Sequence, residues 1–204
     1  MRTQLPRIVL LLLTLAASAA SGAFAAEEPI PILSDPQAAL ILIDIQDFYF
    51  PAGAVPLVEP EPAANNAARL LAAFREHGRL VVHVGHQVQA GGGFHAAVAP
   101  VDGEEIVMKT EVNAFHGTDL HELLQAKGIR RLVLCGMQTH MCLEGATRAA
   151  ADLGYECTVI ADACATRDLK RGDSIVEALA VHQATLATLD RVYATVLDTD
   201  VFLD

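Results

Sequence analysis

The sequence predicts an α/β fold with three α/β/α layers, built on a doubly wound, six-stranded parallel sheet. Two observations lead to this prediction. Strand-like and helix-like segments alternate nearly throughout the chain, and the strand-like segments are continuous apolar runs rather than alternating patterns. Continuous apolar runs are typical of strands buried on both faces of a sheet. Their alternation with helices favours parallel strands joined by right-handed crossovers.

The six strands are predicted where short apolar runs end at polar or turn-forming residues. The first run, AALILIDIQ, is typical of a strand that is buried on both faces. The runs RRLVLCG and YECTVIADA predict the fourth and fifth strands for the same reason. The predicted strands cover residues 38–46, 79–87, 105–110, 130–136, 155–163 and 192–197.

The helices are predicted from apolar residues that recur at the helical period and from residues that begin or end helices. Gly78, Gly128 and Gly154 end the first three predicted helices, because glycine readily follows the last turn of a helix. Asp173 or Ser174 caps the last predicted helix. The predicted helices cover residues 63–77, 118–127, 141–153 and 174–189.

The amino-terminal segment is similar to a secretory signal peptide. Two arginines precede the apolar run IVLLLLTLAA, which is short for a membrane span. Ala23 and Ala25 then provide the small residues of a cleavage site. We therefore expect a signal peptide over residues 1–25 and an exported domain over residues 36–204, which is periplasmic or secreted. The alternative is an uncleaved amino-terminal anchor.

Length, charge and cysteine content narrow the function classes. The chain has 204 residues, enough for one domain with a substantial core, and a formal net charge of −11. Nucleic acids and anionic membrane surfaces repel such a protein, so neither is a predicted partner. Cys135, Cys142, Cys157 and Cys164 include no CxxC pair for zinc and do not make a disulfide scaffold. Cys135 and Cys157 lie inside strand-like runs and are predicted to be buried.

Three residues with catalytic chemistry follow predicted strands. Asp44 ends the first strand, Lys109 ends the third, and Cys142 begins the helix after the fourth. These strand ends share one edge of a parallel sheet, where ligands bind near the reversal of strand order. A helix amino terminus and a lysine both favour a cysteine thiolate, and a carboxylate can accept the thiol proton. Taken singly, each residue also has an ordinary interpretation as a cap, a surface charge or a buried thiol.

Three stretches resemble motifs of the isochorismatase-like cysteine hydrolase superfamily, which includes nicotinamidases and N-carbamoylsarcosine amidohydrolases. The stretches are LILIDIQDF, then VMKTEVNAF followed by HGTDL, then LVLCGMQTHMCLEGATRAAADLGYECTVIADACAT. They occur in family order, and the resemblance covers about residues 36–198. It implies the parallel fold predicted above and a catalytic triad formed by Asp44, Lys109 and Cys142.

The resemblance also implies an oxyanion-stabilising turn after the fourth strand. The family has a cis peptide bond at this place, which falls here between Met137 and Gln138. The backbone N–H groups of Gln138 and Cys142 are then expected to form the oxyanion hole.

The function implied by the resemblance is hydrolysis of a C–N bond in a small amide, lactam or ureide, through a cysteine thioester and without a cofactor. A homo-oligomer is expected on the same ground. An isochorismatase-type ether hydrolase is disfavoured, since such members lack the cysteine. A non-catalytic binding protein remains an alternative, as does a redox-sensing protein in which Cys142 pairs with Cys135 or Cys164.

Further residues near the predicted strand ends are candidates for the substrate pocket. The glycine-rich loop over residues 89–94 lacks phosphate-binding spacing and is expected to be a pocket rim or a subunit contact. The candidate pocket residues are Gln46, His86, Asn113, Phe115 and His140. His140 also offers an alternative Cys–His pair with Cys142.

No metal site is predicted. Nicotinamidases bind a metal through an Asp-x-His pair, and that pair is missing from HVGHQVQAGGGFH. If the second strand stays extended, His83 and His86 point to opposite faces. We therefore expect these histidines and His95 to be ordinary core or surface residues.

Overall fold

A parallel sheet of six strands forms the centre of the computed structural model, which describes residues 32–204. The strands are β1 (Ala38–Ile43), β2 (Leu80–His86), β3 (Glu105–Lys109), β4 (Arg131–Met137), β5 (Glu156–Ala165), β6 (Leu169–Arg171), β7 (Ser174–Val176) and β8 (Thr195–Leu197). The central sheet has the order β3-β2-β1-β4-β5-β8, and β6 and β7 form a separate antiparallel hairpin. The predicted six-stranded parallel sheet is confirmed. The predicted signal peptide lies outside the described residues.

Helices cover both faces of the sheet, as predicted. They are α1 (Pro60–Glu76), α2 (Leu120–Ala126), α3 (Glu144–Asp152), α4 (Ala178–Leu189) and α5 (Thr199–Leu203). The short α5 packs on α1, where the rings of Phe74 and Phe202 stack with centroids 6.3 Å apart. Within residues 32–204, no helix has the length and apolar character that crossing a membrane requires.

The core is centred on β1, which lies between β2 and β4. All six of its residues are buried, as are the inner residues of β2 and β4. A strand with neighbours on both sides and helices on both faces has no exposed side chain. This arrangement explains why the sequence AALILI is apolar at every position.

The last helix begins later in the structure than the sequence predicts. Residues 174–176 belong to β7 and pair with β6, so α4 starts at Ala178. The capping prediction at Asp173 or Ser174 is therefore wrong, because the Asp168 carboxylate accepts the backbone N–H of Ala178 at 2.8 Å. The acceptor lies ten residues upstream, a distance that helix-capping patterns do not consider.

The first strand is shorter than predicted. β1 ends at Ile43, and Asp44 adopts a left-handed backbone conformation with φ of +50°. Such a conformation costs a non-glycine residue about 1–3 kcal/mol and occurs where the surrounding structure enforces it. The chain therefore leaves the sheet at Asp44, beside the position where the strand order reverses between β1 and β4.

Gly136, the second-to-last residue of β4, allows the central strands β1 and β4 to approach closely. A Cβ atom at this position would lie 2.0 Å from the carbonyl oxygen of Ile43 in β1. Its φ of +128° is also a conformation that residues with side chains rarely adopt. Only glycine fits here, immediately before the turn that carries Cys142.

We expect Gly136→Ala to lower the free energy of unfolding by more than about 3 kcal/mol, because the methyl group collides with the buried backbone of β1. Urea unfolding followed by circular dichroism measures this change. Gly154→Ala is the matched control: its φ is +89°, but no heavy atom lies within 4 Å of the added methyl group. We expect it to cost about 1 kcal/mol. Equal losses for the two variants would contradict the close approach of β1 and β4.

Candidate active site

Asp44, Lys109 and Cys142 meet in a buried cluster at the carboxyl edge of the sheet. The Lys109 Nζ atom lies 2.7 Å from Asp44 Oδ2 and 3.4 Å from Cys142 Sγ. The side chains of Asp44 and Lys109 are fully buried, and Cys142 is 4% exposed. The three residues predicted to form the triad are thus in contact through the lysine ammonium.

Each member of the cluster comes from a different backbone setting. The left-handed turn at Asp44 follows the central strand β1, whereas Lys109 is the last residue of the edge strand β3. Cys142 lies in a π-helical turn over Thr139–Leu143, which leads into α3. π-helical turns are frequent at functional sites. The long side chain of Lys109 spans the distance from the edge strand to the centre of the sheet.

The ammonium group of Lys109 has four close neighbours. It donates to His86 Nδ1 at 3.0 Å, to the carbonyl oxygen of Glu111 at 3.1 Å and to Cys142 Sγ at 3.4 Å. The fourth neighbour is Asp44 Oδ2, which is the closest of the four at 2.7 Å and forms a buried ion pair with the ammonium group.

These neighbours include a possible set of metal ligands. One ligand atom each from Asp44, His86 and Cys142 lies within 4.8 Å of the other two. Lys109 Nζ contacts all three residues, so a cation already stands among the three ligand atoms. A divalent metal bound by the same atoms would have to displace this ammonium.

Burial opposes charge on both proton-carrying members of the cluster. It raises the pKa of Asp44 above its ordinary value, although the charge of Lys109 lowers it in part. Burial, followed by the charge of Asp44, raises the pKa of Cys142 to about 12. A low-pKa thiolate at the helix amino terminus was the expectation from the sequence. The structure corrects it, because desolvation outweighs the stabilising effect of Lys109.

The turn after β4 contains the predicted oxyanion residues. The peptide bond between Met137 and Gln138 is cis. The side chain of Gln138 is held from both sides: its Nε2 donates to the Tyr49 hydroxyl at 3.3 Å, and its Oε1 accepts from Arg167 Nε at 3.1 Å. A chain of three side chains, those of Tyr49, Gln138 and Arg167, therefore supports the turn that carries Cys142.

Gln46 and His86 differ in their position relative to the cluster of Asp44, Lys109 and Cys142. The Gln46 side chain is buried and binds the backbone N–H of His86, its carbonyl oxygen and the carbonyl oxygen of Gly92. The imidazole of His86 is half-buried and contacts Lys109. Gln46 thus supports the site from behind, whereas His86 belongs to the cluster. The glycine-rich loop pairs with residues 45–48 and forms part of this support.

The other histidines with possible metal-binding or catalytic roles contact residues outside the cluster. His83 Nε2 contacts Glu104 at 2.9 Å, and the ring of His95 stacks on Phe50. The nitrogen Nδ1 of His140 lies 2.6 Å from the hydroxyl of Thr166. Burial lowers the pKa of His140, and the charge of Arg167 adds to this effect. The Cys142 sulfur contacts Lys109, whereas His140 contacts Thr166. These contacts do not favour the alternative Cys–His pair.

Asn113 and Phe115 shape the segment that follows Lys109. The side chain of Asn113 accepts the backbone N–H of Phe115 at 2.9 Å. The ring of Phe115 stacks on Tyr155, which immediately precedes β5. Phe115 therefore packs toward the amino-terminal end of β5, away from the edge that carries the triad.

Tyr49 and Arg167 were missed by the sequence analysis. Tyr49 follows Asp44 in the FYF stretch, and burial raises its pKa to about 12, so that the hydroxyl keeps its proton. Arg167 follows β5 and is exposed. Its position after a strand end was the available signal, since the same rule identified Asp44 and Lys109.

A cavity of about 290 Å³ lies beside the π-helical turn over Thr139–Leu143. Its lining includes Thr166 and His182, which contact His140 and Thr139. None of the three triad residues lines this cavity. The cavity therefore adjoins the cluster of Asp44, Lys109 and Cys142 without including it.

Comparison with known proteins identifies the family of this chain and confirms the resemblance seen in its motifs. Residues 38–201 match the model of the isochorismatase domain. The isochorismatase family protein YddQ of Bacillus subtilis is 44% identical over 176 residues, which cover 81% of this chain and 98% of YddQ. A maleamate amidohydrolase of Pseudomonas putida is 31% identical over 185 residues, which cover 78% of this chain and 82% of that enzyme. The crystal structure of an isochorismatase from Pseudomonas putida KT2440 superposes with a TM-score of 0.78 at 37% identity and covers 86% of this chain and 93% of its own. This chain belongs to the isochorismatase family of hydrolases.

Proposed function

We propose that this hydrolase cleaves a C–N bond of a small amide, lactam or ureide, with Cys142 as the nucleophile. The observation that carries the proposal is the buried contact of Lys109 Nζ with both Asp44 and Cys142. It brings together a nucleophile, a carboxylate that can move protons and a fixed positive charge.

The first half of the reaction forms a thioester. Asp44 takes the proton of the Cys142 thiol as the sulfur attacks the substrate carbonyl carbon. The carbonyl oxygen becomes an oxyanion, which accepts hydrogen bonds from the backbone N–H groups of Gln138 and Cys142. Asp44 then gives its proton to the departing nitrogen, the C–N bond breaks and an amine or ammonia leaves.

The second half releases the enzyme. Asp44 takes a proton from water as the water oxygen attacks the thioester carbon. The C–S bond breaks, a carboxylic acid leaves, and the proton held by Asp44 returns to the Cys142 sulfur. The charge of Lys109 offsets the negative charge that moves between Asp44 and Cys142 in both halves.

We propose further that the substrate is an amide that carries a carboxylate. Arg167 uses Nε to hold Gln138, which leaves the other guanidinium nitrogens available at the exposed edge of the site. A guanidinium group binds a carboxylate in a bidentate fashion. The relation to a maleamate amidohydrolase supports the same substrate class.

Export, a homo-oligomeric state and the lack of a cofactor remain proposals from the sequence and the family resemblance. The redox alternative requires a disulfide between Cys142 and Cys135 or Cys164. All four cysteines of the chain are free and buried, and Cys142 contacts Lys109. These contacts favour the hydrolase.

We expect Cys142→Ala and Asp44→Asn each to lower kcat on an amide substrate by more than about 1,000-fold, because the nucleophile or its proton acceptor is lost. Cys157→Ala is the matched control, since this thiol is also buried and, within residues 32–204, forms a hydrogen bond only with the carbonyl oxygen of Tyr155. Ammonia release from a panel of amides measures the rates. A Cys142→Ala enzyme with the activity of the control would sink the proposal.

We expect kcat/KM to fall in acid as Asp44 takes up a proton and can no longer accept one from Cys142. Burial raises the pKa of Asp44, so this fall begins at a higher pH than an exposed aspartate would give. A pH–rate profile between about pH 3 and about pH 9 shows the position of the acid limb. An acid limb below the ordinary pKa of an aspartate contradicts this expectation.

We expect Arg167→Gln to lower kcat/KM at least about tenfold for amides that carry a carboxylate, such as maleamate, and to affect neutral amides less. Arg171→Gln removes the same charge from the exposed residue that ends β6 and serves as the control. Equal losses for the two substrate classes would show that Arg167 supports Gln138 without binding a carboxylate.

A further inference from the structure

We propose that Lys109 has a second role: its ammonium group keeps divalent metal ions out of a ligand set formed by Asp44, His86 and Cys142. This role goes beyond the proposed function, because it concerns what the site can bind rather than the reaction. Without the ammonium group, the same three side chains form a binding site for zinc.

The three side chains offer the ligand types of a zinc site. One ligand atom each from Asp44, His86 and Cys142 lies within 4.8 Å of the other two, and no other group of this kind occurs within residues 32–204. Carboxylate oxygen, imidazole nitrogen and thiolate sulfur all bind zinc, and three protein ligands with one open position are typical of catalytic zinc sites. The chemistry of this set therefore suits zinc, and cobalt(II) as its spectroscopic substitute.

The ammonium group of Lys109 stands among these three side chains. Its Nζ atom lies 2.7 Å from Asp44 Oδ2, 3.0 Å from His86 Nδ1 and 3.4 Å from Cys142 Sγ. Zinc bonds are about 2.0–2.3 Å long, so a metal at this point would draw the three ligand atoms inward by about 0.6–1.1 Å. The ammonium group and a metal ion would fill the same space, and they repel each other as two cations.

The ammonium group is well held in this position. The side chain of Lys109 is fully buried, and Nζ also donates to the carbonyl oxygen of Glu111 at 3.1 Å. For a metal ion to enter, the ammonium group would have to give up these contacts inside the protein. A buried charge without partners is costly, so the wild-type site disfavours the exchange.

Removal of the ammonium group reverses this balance. Lys109→Ala takes the positive charge from beside the buried carboxylate of Asp44 and opens space between the three ligand side chains. A divalent ion that enters this space restores the missing positive charge. Because metal binding to the folded chain adds to its stability, zinc stabilises the variant more than the wild type.

The test is a cobalt(II) titration of the intact wild-type protein and of Lys109→Ala. A cobalt–thiolate bond absorbs in the near ultraviolet, so the titration reports metal bound to a cysteine without any substrate. We expect the variant to bind cobalt with a Kd at least about 100-fold lower than that of the wild type, and zinc to abolish the absorption. Lys127→Ala is the matched control, since it removes a partly exposed lysine that pairs with Glu105, and it should behave like the wild type.

Further substitutions in the Lys109→Ala protein identify the ligands. We expect Cys142→Ala to abolish the absorption and His86→Leu to raise the Kd for cobalt at least about tenfold. Cys157→Ala should leave the absorption unchanged, since this thiol is outside the ligand set. Circular dichroism and urea unfolding, with and without zinc, show whether each variant is folded. If Lys109→Ala is not, Lys109→Met fills more of the space with a neutral side chain and replaces it in every titration.

The outcomes separate metal exclusion from catalysis. A folded lysine variant that binds no cobalt, or that keeps the absorption after Cys142→Ala, overturns the inference. A wild type that shows the same absorption at the same cobalt concentration overturns it too, because the ammonium group then excludes nothing. None of these results decides whether Cys142 is the nucleophile, since the amide-hydrolysis rates of Cys142→Ala test that separately.

Discussion

The buried ion pair of Asp44 and Lys109 is the constraint on which the rest of the site depends. Removing a carboxylate and an ammonium group from water is costly, and their attraction offsets the cost only when both are present and well surrounded. The protein meets this requirement with Asp44, which directly follows the central strand β1, and Lys109, which ends the edge strand β3. The sheet must therefore keep β1, β2 and β3 in register for either charge to be tolerated.

The backbone around this ion pair is arranged to leave room for chemistry. Asp44 leaves β1 in a left-handed conformation, and Gly136 lets β4 approach β1 more closely than any side chain permits. Between them lies the reversal of strand order, where the loops after neighbouring strands diverge. The turn that carries Cys142 starts in this gap, so the thiol reaches the ammonium without being adjacent to it in sequence.

Much of the fold and the triad could be predicted because both follow from short segments of sequence. Continuous apolar runs identify buried parallel strands, and a polar residue directly after such a run marks the edge where sites form. The role of Gln46 could not be predicted in this way. Two of its hydrogen bonds are to the backbone of His86 in β2, and the third depends on the glycine-rich loop over residues 89–94 folding back against residues 45–48, more than forty positions away.

The same limit applies to the start of α4 and to the protonation of the thiol. The residues 174–176 form a strand only because β6 is available to pair with them, and the cap of α4 comes from Asp168. The helix position of Cys142 indicates a lowered pKa, but its burial depends on the whole fold and reverses the direction. Local sequence patterns predict which residue types lie at a site better than they predict how deeply those residues are buried.

Burial of the thiol is compatible with both catalysis and the predicted export of this protein. Oxidation, like catalysis, proceeds through the thiolate, and a buried thiol with a pKa raised to about 12 holds its proton in the resting site. In the proposed mechanism, the neighbouring Asp44 is the base that takes this proton. Proton transfer is then favoured only when a carbonyl carbon is present to take up the charge of the sulfur. A site of this kind limits the exposure of the reactive thiolate to the moment of reaction, which suits a cysteine enzyme outside the reducing cytosol.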